Sequence, residues 1–347
     1  MIKLIIIKMC FLFVILGCTK KEKNNDGYDQ TILLKNISDN FISKGISDFK
    51  IKATTLNGAV KNYLVSKSDL DLQTAQSKWK SVIDVWRICE LFNIGEIKTS
   101  FLYNRIDSWN ADTADINFII KNSSTISKSL IELKPSNNVG IYALEYLLFE
   151  NSLEKGKGFY EYLEALANDL EDQSEKLNSL WETTYKTNFT NSKGLSLSAS
   201  VSAILNYQPI ICEEILRDKI SIPLGYYNYI DFDVKKLEAW RSRYSLEIIS
   251  GTFYALKNLY YGADGEGFDD YLLFIGNKAV NKKAALYFDE TEGILKDIKG
   301  PLLSTLSSEE DNMLKLRTSF QKIRSLFAVE VISAIGIMGT FSDIDGD

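Results

Sequence analysis

The sequence predicts an all-α fold made of two helical bundles. Apolar residues recur with helical spacing in several long segments, and strand-like alternation of any length is scarce. Only four prolines occur in 347 residues. The chain from residue 30 onward is longer than one hydrophobic core usually fills, so we expect two domains, at 30–190 and 191–347.

The N-terminus has the pattern of a bacterial lipoprotein signal. Lysines flank a short apolar run, and the segment 15–18 (ILGC) resembles a lipobox, in which the cysteine receives a lipid after cleavage. The run is shorter than the roughly 20 residues that a membrane-spanning helix needs, which argues against an uncleaved anchor. We expect residues 1–17 to be removed, Cys18 to be lipidated, and residues 18–29, which are polar, to form a flexible tether.

Helical spacing is clearest in the first predicted bundle. Two apolar stripes follow the spacing of an amphipathic helix: Trp79, Val82, Ile83, Trp86 and Cys89, then Tyr160, Leu163, Leu166, Ala167 and Leu170. In the second bundle the segments 198–217, 242–261 and 313–336 are comparably long. The helical pattern breaks within 186–197, where we expect the chain to pass from one bundle to the other.

Composition excludes several functions. The chain has no histidine, which rules out Ser-His-Asp and Cys-His relays, H-E-x-x-H zinc sites and imidazole metal ligands. A Ser-Lys dyad survives, but no pair is marked by the sequence. Loss of Lys3 and Lys8 with the signal changes the formal charge from −6 to −8, and no basic stripe is present, so nucleic acid is not an expected partner.

Two cysteines remain in the mature folded part, Cys89 and Cys212. Free cysteine is among the most buried residue types, so two buried thiols are one interpretation. A single disulfide in an oxidising envelope is the other.

Four blocks in chain order resemble one family. They are WKSVIDVWRICELFNIG at 79–95, RIDSWNAD at 105–112, GIYALE at 140–145, and SRYSLEIISGTFYALKNLYYGADGEG at 242–267, followed by a terminal DIDGD. Together they resemble the imelysin-like family, whose signature is G-x-H-x-x-E. The resemblance covers almost the whole mature chain, but it departs from the family at two positions: Tyr142 replaces the signature histidine, and Ile83 replaces an arginine in the first block.

The resemblance implies a two-bundle envelope protein with its signature helix near the interface between the bundles. It also implies an iron or haem acquisition context, with metallopeptidase activity as the alternative that the family's classification suggests and the missing histidine opposes. A scaffold that has lost the family's site is a third possibility. The cofactor that this context implies is iron, with no cofactor as the alternative. The expected partners are a membrane, reached through the lipid anchor on the periplasmic or surface face of the outer membrane, and envelope iron-uptake proteins.

The signature helix is predicted to be buried because it is apolar nearly all round, with Glu145 as its charged exception. In a structural interpretation, Glu145 is neutralised by an arginine such as Arg87 or Arg105, or by the Tyr142 hydroxyl, and only holds the bundles together. A functional interpretation makes Gly140, Tyr142, Glu145, Glu90, Arg105 and Asp107 a ligand site. In it Glu145 and a Tyr142 phenolate bind Fe(III) with help from Glu90 or Asp107, since hard cations accept oxygen ligands. No catalytic residue is predicted.

Overall fold

A computed structural model describes residues 27–340. The all-α prediction is confirmed, because the described residues form α-helices joined by turns and contain no strand. The predicted signal peptide, the predicted lipidation site Cys18, most of the predicted tether and the terminal DIDGD lie outside the described residues. None of the helices in the described part is both long and apolar enough to span a membrane.

Within the described residues, ten α-helices lie before residue 192. They are α1 (Gln30–Asn36), α2 (Lys44–Ser66), α3 (Asp69–Cys89), α4 (Gly95–Thr99), α5 (Leu102–Ile106), α6 (Thr113–Asn122), α7 (Lys128–Glu132), α8 (Gly140–Phe149), α9 (Lys157–Leu180) and α10 (Lys186–Asn191). The second half contributes α11 (Ser200–Glu214), α12 (Ser245–Tyr261), α13 (Phe268–Phe274), α14 (Lys278–Asp297), α15 (Leu302–Thr305), α16 (Glu310–Ser325) and α17 (Ile332–Ile335).

Four π-helical turns extend these helices. They cover Ile37–Ser43, Trp181–Tyr185, Ile215–Ser221 and Leu326–Val331. Such turns are rare and often occur near functional sites. The one at Ile215–Ser221 continues α11 and carries a lysine into the interior, as described below.

The helices pack in two groups. In the first, α2 lies against α3 and α9, and α8 lies against the same two helices. In the second, α16 packs against α11 and α14. One cluster of buried apolar side chains runs through both groups, and α3 also contacts α12. The domain boundary between residues 190 and 191 therefore stays a prediction.

Helix α3 contacts both groups, and its cap and its apolar stripe account for its position. Ser68 caps its N-terminus by accepting a hydrogen bond from the Asp71 amide. The predicted stripe of Trp79, Val82, Ile83 and Trp86 is fully buried. The end of the helix, with Arg87 next to Glu90, therefore lies in the interior between the two groups.

Helix α8 carries the signature and is buried along its length from residue 140 to 148. Gly140 begins it with a φ of +76°, and a Cβ there would lie 2.4 Å from the Ile106 carbonyl oxygen and 2.5 Å from that of Arg105. Only glycine permits both the left-handed backbone and this close approach to the end of α5. Gly140 thus fixes where α8 enters the core.

The start of the described chain packs on the second group. Tyr28 stacks on Tyr271 with ring centroids 4.0 Å apart, and the Asn36 side chain donates to the main-chain oxygens of Gly262 at 2.9 Å and Glu266 at 2.8 Å. Cys89 and Cys212 are both buried free thiols, so the first of the two cysteine interpretations is confirmed.

Candidate functional site

A cavity of about 650 Å³ opens between the end of α3, helix α5 and the π-helical turn after α11. This volume is within the range of small-molecule sites. Its wall is mostly polar, charged and aromatic. The principal lining residues are Trp86, Glu90, Asn93, Tyr103, Asn104, Asp107, Trp109, Tyr207, Glu214, Lys219, Lys236 and Glu238.

A buried arginine supports the floor of the cavity. The Arg87 side chain is 1% exposed, and its guanidinium lies 2.9 Å from Glu90, 3.4 Å from Asp107 and 3.4 Å from Glu238. Burial opposes a charge on Arg87, but these carboxylates and the neighbouring tyrosine raise its pKa well above the ordinary value. Arg87 is therefore a permanent cation that joins three acids from separate parts of the chain.

Glu238 is the most heavily contacted of the three acids. The Lys219 ammonium lies 2.6 Å from one of its oxygens, and the Tyr142 hydroxyl donates to the other, which also faces Arg87. Burial alone would raise the pKa of Glu238, but Lys219 and Arg87 together lower it below its ordinary value. Glu238 is thus held as an anion by two cations.

Tyr142 occupies the position of the signature histidine and points at this cluster. Its hydroxyl is a donor to Glu238, and burial, together with the nearby Asp107 and Glu238, raises its pKa well above 10. The neutral phenol is therefore the stable form in this arrangement.

Glu145, three residues further along α8, has different surroundings. One of its oxygens accepts a hydrogen bond from the Ser242 amide at 2.8 Å, and the other is buried without a hydrogen-bond partner. Burial raises its pKa to about 7, and the Ser242 and Arg241 interactions only partly oppose this. The expected partners Arg87, Arg105 and Tyr142 contact other acids, so the structural interpretation named the wrong partner for Glu145.

The other predicted site residues divide into two sets. Glu90 and Asp107 line the cavity, where Thr252 donates to Glu90 and the Trp86 indole donates to Asp107. Burial raises the pKa of both carboxyls, and Arg87 opposes that rise. Arg105 lies elsewhere, because its guanidinium contacts Asp169 at 2.9 Å and the Ile131 carbonyl oxygen at 3.0 Å.

Neither Tyr142 nor Glu145 is among the residues that line the cavity. Their polar atoms contact different partners, Glu238 and the Ser242 amide. Within residues 27–340, no group of three or more His, Cys, Asp or Glu side chains is arranged to hold a metal ion. Iron binding by Tyr142 and Glu145 thus stays a prediction.

Most cavity residues were missed by the sequence reasoning, among them Glu214, Lys219 and Glu238. The segment around Lys219, ILRDKISI at 215–222, mixes apolar and charged residues and does not mark the lysine as buried. Glu238 lies in an irregular segment, and nothing in its local sequence marks it.

The described part of the chain is all-helical and has a cavity lined by charged residues between two groups of helices. The chain belongs to the imelysin family, whose model (Peptidase M75, Imelysin) matches residues 42–329. The sequence-based assignment to this family is therefore confirmed.

Two solved structures share the fold. An imelysin-like protein from Psychrobacter arcticum 273-4 superposes with a TM-score of 0.75 at 16% identity, over 91% of this chain and 99% of that one. A Parabacteroides distasonis protein, described as an iron-regulated protein A precursor, gives a TM-score of 0.73 at 19% identity, over 88% of this chain and 95% of that one.

A similar sequence is the iron-regulated protein A of Synechococcus elongatus, which is 23% identical over 225 residues. The match covers 62% of this chain and spans 60% of that relative's length.

Proposed function

We propose that this protein is an envelope lipoprotein that binds a ligand in its interbundle cavity as part of iron or haem acquisition. The observation that carries the proposal is the cavity itself, since about 650 Å³ of space is walled by charged groups at the end of α3. Burying so many charges is costly unless they are matched, which makes such clusters candidates for functional sites.

The iron context comes from relatives. Two of them, from Synechococcus elongatus and Parabacteroides distasonis, are named iron-regulated protein A, and the second is described as a precursor. That word agrees with a secreted or envelope location. The apolar run before Cys18 supports lipid anchoring, and with it a membrane and envelope iron-uptake proteins as partners.

A complementation experiment tests the proposal. A strain lacking the gene should accumulate less radioactive iron from ferric citrate, or grow less on haem, and the full chain should restore both. Asn104→Trp should not restore them, because Asn104 is an exposed cavity residue and an indole there would occupy the cavity. Asn62→Trp, on an exposed face of α2 outside the cavity, is the matched control and should restore both.

Further variants in the same strain test the anchor and the metal site. Cys18→Ser should appear in the soluble fraction. If Tyr142 binds Fe(III) as a phenolate, the purified protein should become coloured with ferric citrate, and Tyr142→Phe should remove the colour. Normal iron and haem use by the deletion strain would refute the acquisition role.

Metallopeptidase activity is the second candidate, and the matched family model's own name favours it. The absence of histidine opposes it, since oxygen-only zinc sites are not the usual generators of hydroxide. Protein cleavage that chelation abolishes and zinc restores would establish this alternative. A pure protein with neither activity nor a bound ligand would leave the scaffold as the remaining candidate.

A further inference from the structure

The deep part of the cavity has more negative than positive charge. Four carboxylates line it, Glu90, Asp107, Glu214 and Glu238. Their cations are Lys219 and Lys236 in the wall and Arg87 behind it. Four acids and three cations leave a formal excess of one negative charge. The other ion pair of the wall, Arg217 with Asp218, is matched internally, with two contacts of 2.8 Å.

Glu214 is the acid that this arrangement leaves unmatched. It is the last residue of α11, it is partly buried in the cavity wall, and the described residues give its carboxylate no hydrogen bond or ion pair. The nearby Lys219 is 2.6 Å from Glu238 and is therefore already engaged. The Glu214 carboxylate is thus open to the cavity and available as the counter-ion of a cation that enters it.

The remaining cation of the cavity does not fill this role. Lys236 also lines the wall, but its ammonium donates to the main-chain oxygen of Asp231 at 3.2 Å. Three of the carboxylates already hold protein donors: Glu90 from Thr252, Asp107 from Trp86, and Glu238 from Tyr142 and Lys219. The open position is therefore at Glu214.

Aromatic side chains form much of the rest of the wall. Trp86, Tyr103, Trp109 and Tyr207 all line the cavity. Aromatic rings attract cations electrostatically and do so best where water is excluded. Carboxylate and aromatic groups together are the usual surroundings of protonated or quaternary amines, whereas hard metal ions require several convergent oxygen ligands.

We propose that the cavity binds an organic ammonium cation, with Glu214 as its counter-ion and the Trp and Tyr side chains as its wall. This inference rests on the proposed function in one respect, that the same cavity is the ligand site. It adds the chemical class of the ligand, an organic molecule that carries a protonated amine.

Spermidine is a suitable probe, because it is flexible and carries several ammonium groups. Titration calorimetry with the full chain in detergent at low salt should detect its binding. Glu214→Gln keeps the side-chain shape and removes the charge, and should weaken binding at least tenfold. The matched control is Glu213→Gln, the adjacent acid, which pairs with Arg324 at 3.1 Å and does not line the cavity. The control should bind spermidine like the wild type.

Protons should be released on binding. Burial raises the pKa of Glu214 to about 7, with Lys219 opposing the rise and Glu90, Asp107 and Asp218 adding to it. An incoming cation lowers this pKa, so binding should tighten as pH rises from 6 to 8. The observed enthalpy should differ between buffers of different ionisation enthalpy. Glu214→Gln should lose both effects.

Two other results would contradict the inference. Equal spermidine affinity in Glu214→Gln and the wild type would overturn the inference, as would binding of Mn²⁺ or ferric citrate with none of spermidine. The last result would leave the iron-acquisition proposal in place. Conversely, spermidine binding that depends on Glu214, in a protein whose deletion leaves iron use unchanged, would support the inference and refute the acquisition role.

Discussion

Two glutamates, Glu145 on helix α8 and Glu238, which Tyr142 of the same helix contacts, are both buried but differ in their partners and in the direction of their pKa shifts. Glu238 is 6% exposed and Glu145 is 0% exposed. Glu238 has the Lys219 ammonium at 2.6 Å and the Arg87 guanidinium at 3.4 Å, and its pKa is lowered. Glu145 has one main-chain amide at 2.8 Å and one oxygen without a hydrogen bond, and its pKa is raised to about 7. Partners, and not depth, decide which buried acid stays charged.

The comparison also separates two roles of the signature helix. Tyr142 extends the charged cluster of the cavity, whereas Glu145 fastens α8 to the chain at Ser242, away from the cavity wall. The two contact points, Glu238 and Ser242, are four positions apart in the chain. Helix α8 therefore contacts that segment twice, through Tyr142 at the charged Glu238 and through Glu145, whose pKa is raised, at the Ser242 amide.

The largest effect should come from removing the arginine that contacts Glu238. Arg87→Met takes away one of the two cations of Glu238 and the ion-pair partner of Glu90 and Asp107, so the free energy of unfolding should fall by about 3–5 kcal/mol. Urea denaturation measures it. The control is Lys50→Met, which removes an exposed pair with Glu175 and should cost less than about 1 kcal/mol. Similar losses in the two variants would mean that the Arg87 cluster is no stronger than a surface pair.

A smaller loss should follow from moving the helix that carries both contacts. Gly140→Ala forces a left-handed backbone on alanine and pushes a Cβ against two carbonyl oxygens, so a loss of about 2–3 kcal/mol is expected. Gly58→Ala is the matched change, in the interior of α2 with open space around it, and should stabilise the protein by about 0.5–1 kcal/mol. Thermal unfolding of the two variants shows directly whether each change lowers or raises the melting temperature. An unchanged Gly140→Ala protein would show that α5 and α8 are not in close contact.

The smallest effect concerns the second glutamate and depends on pH. Because the folded pKa of Glu145 is about 7 and the ordinary value is 4.5, the native chain keeps a proton that the unfolded chain loses between those values. Stability should therefore fall as pH rises from about 4.5 to 7 and level off above it.

Glu145→Gln removes that contribution. Relative to the wild type, the variant should be more stable at pH 8 than at pH 5 by about 2 kcal/mol, which is less than the full shift implies because the unfolded chain has already lost most of this proton at pH 5. Other carboxyls with a raised pKa, such as Glu214 and Asp269, are present in both proteins, so their contributions cancel when the stability of the wild type is subtracted from that of the variant. A difference that does not vary with pH would show that Glu145 is already ionised at neutral pH.

Much of the fold could be predicted because its signals are local. The stripe of α3 and the burial of α8 both follow from apolar spacing, and the structure shows both. The signature glycine was recognised as well, although its reason, the carbonyl groups at the end of α5, is visible only in three dimensions.

The site was harder to predict because its parts are distant in sequence. Glu238 is 96 residues from Tyr142 and lies in an irregular segment whose path is set by packing. Arg105, one of the predicted partners of Glu145, contacts Asp169 instead, 64 residues away. The partner of Glu145 is a main-chain amide, which every non-proline residue has, so no side-chain pattern could indicate it.

The contact between Tyr28 and Tyr271 sets an order of events for the newly made chain. Tyr28 donates to Glu266 at 2.8 Å across a separation of 238 residues, so the first described turn cannot find its neighbours until most of the protein exists. At usual rates of synthesis that interval is roughly 10–50 s. During it the apolar side chains of α1, Leu33 and Leu34, lack the completed core that later covers them. The segment from Tyr28 through α1 is consequently among the last of the described parts to be folded, and a chaperone that shields it early in synthesis would act where the exposure lasts longest.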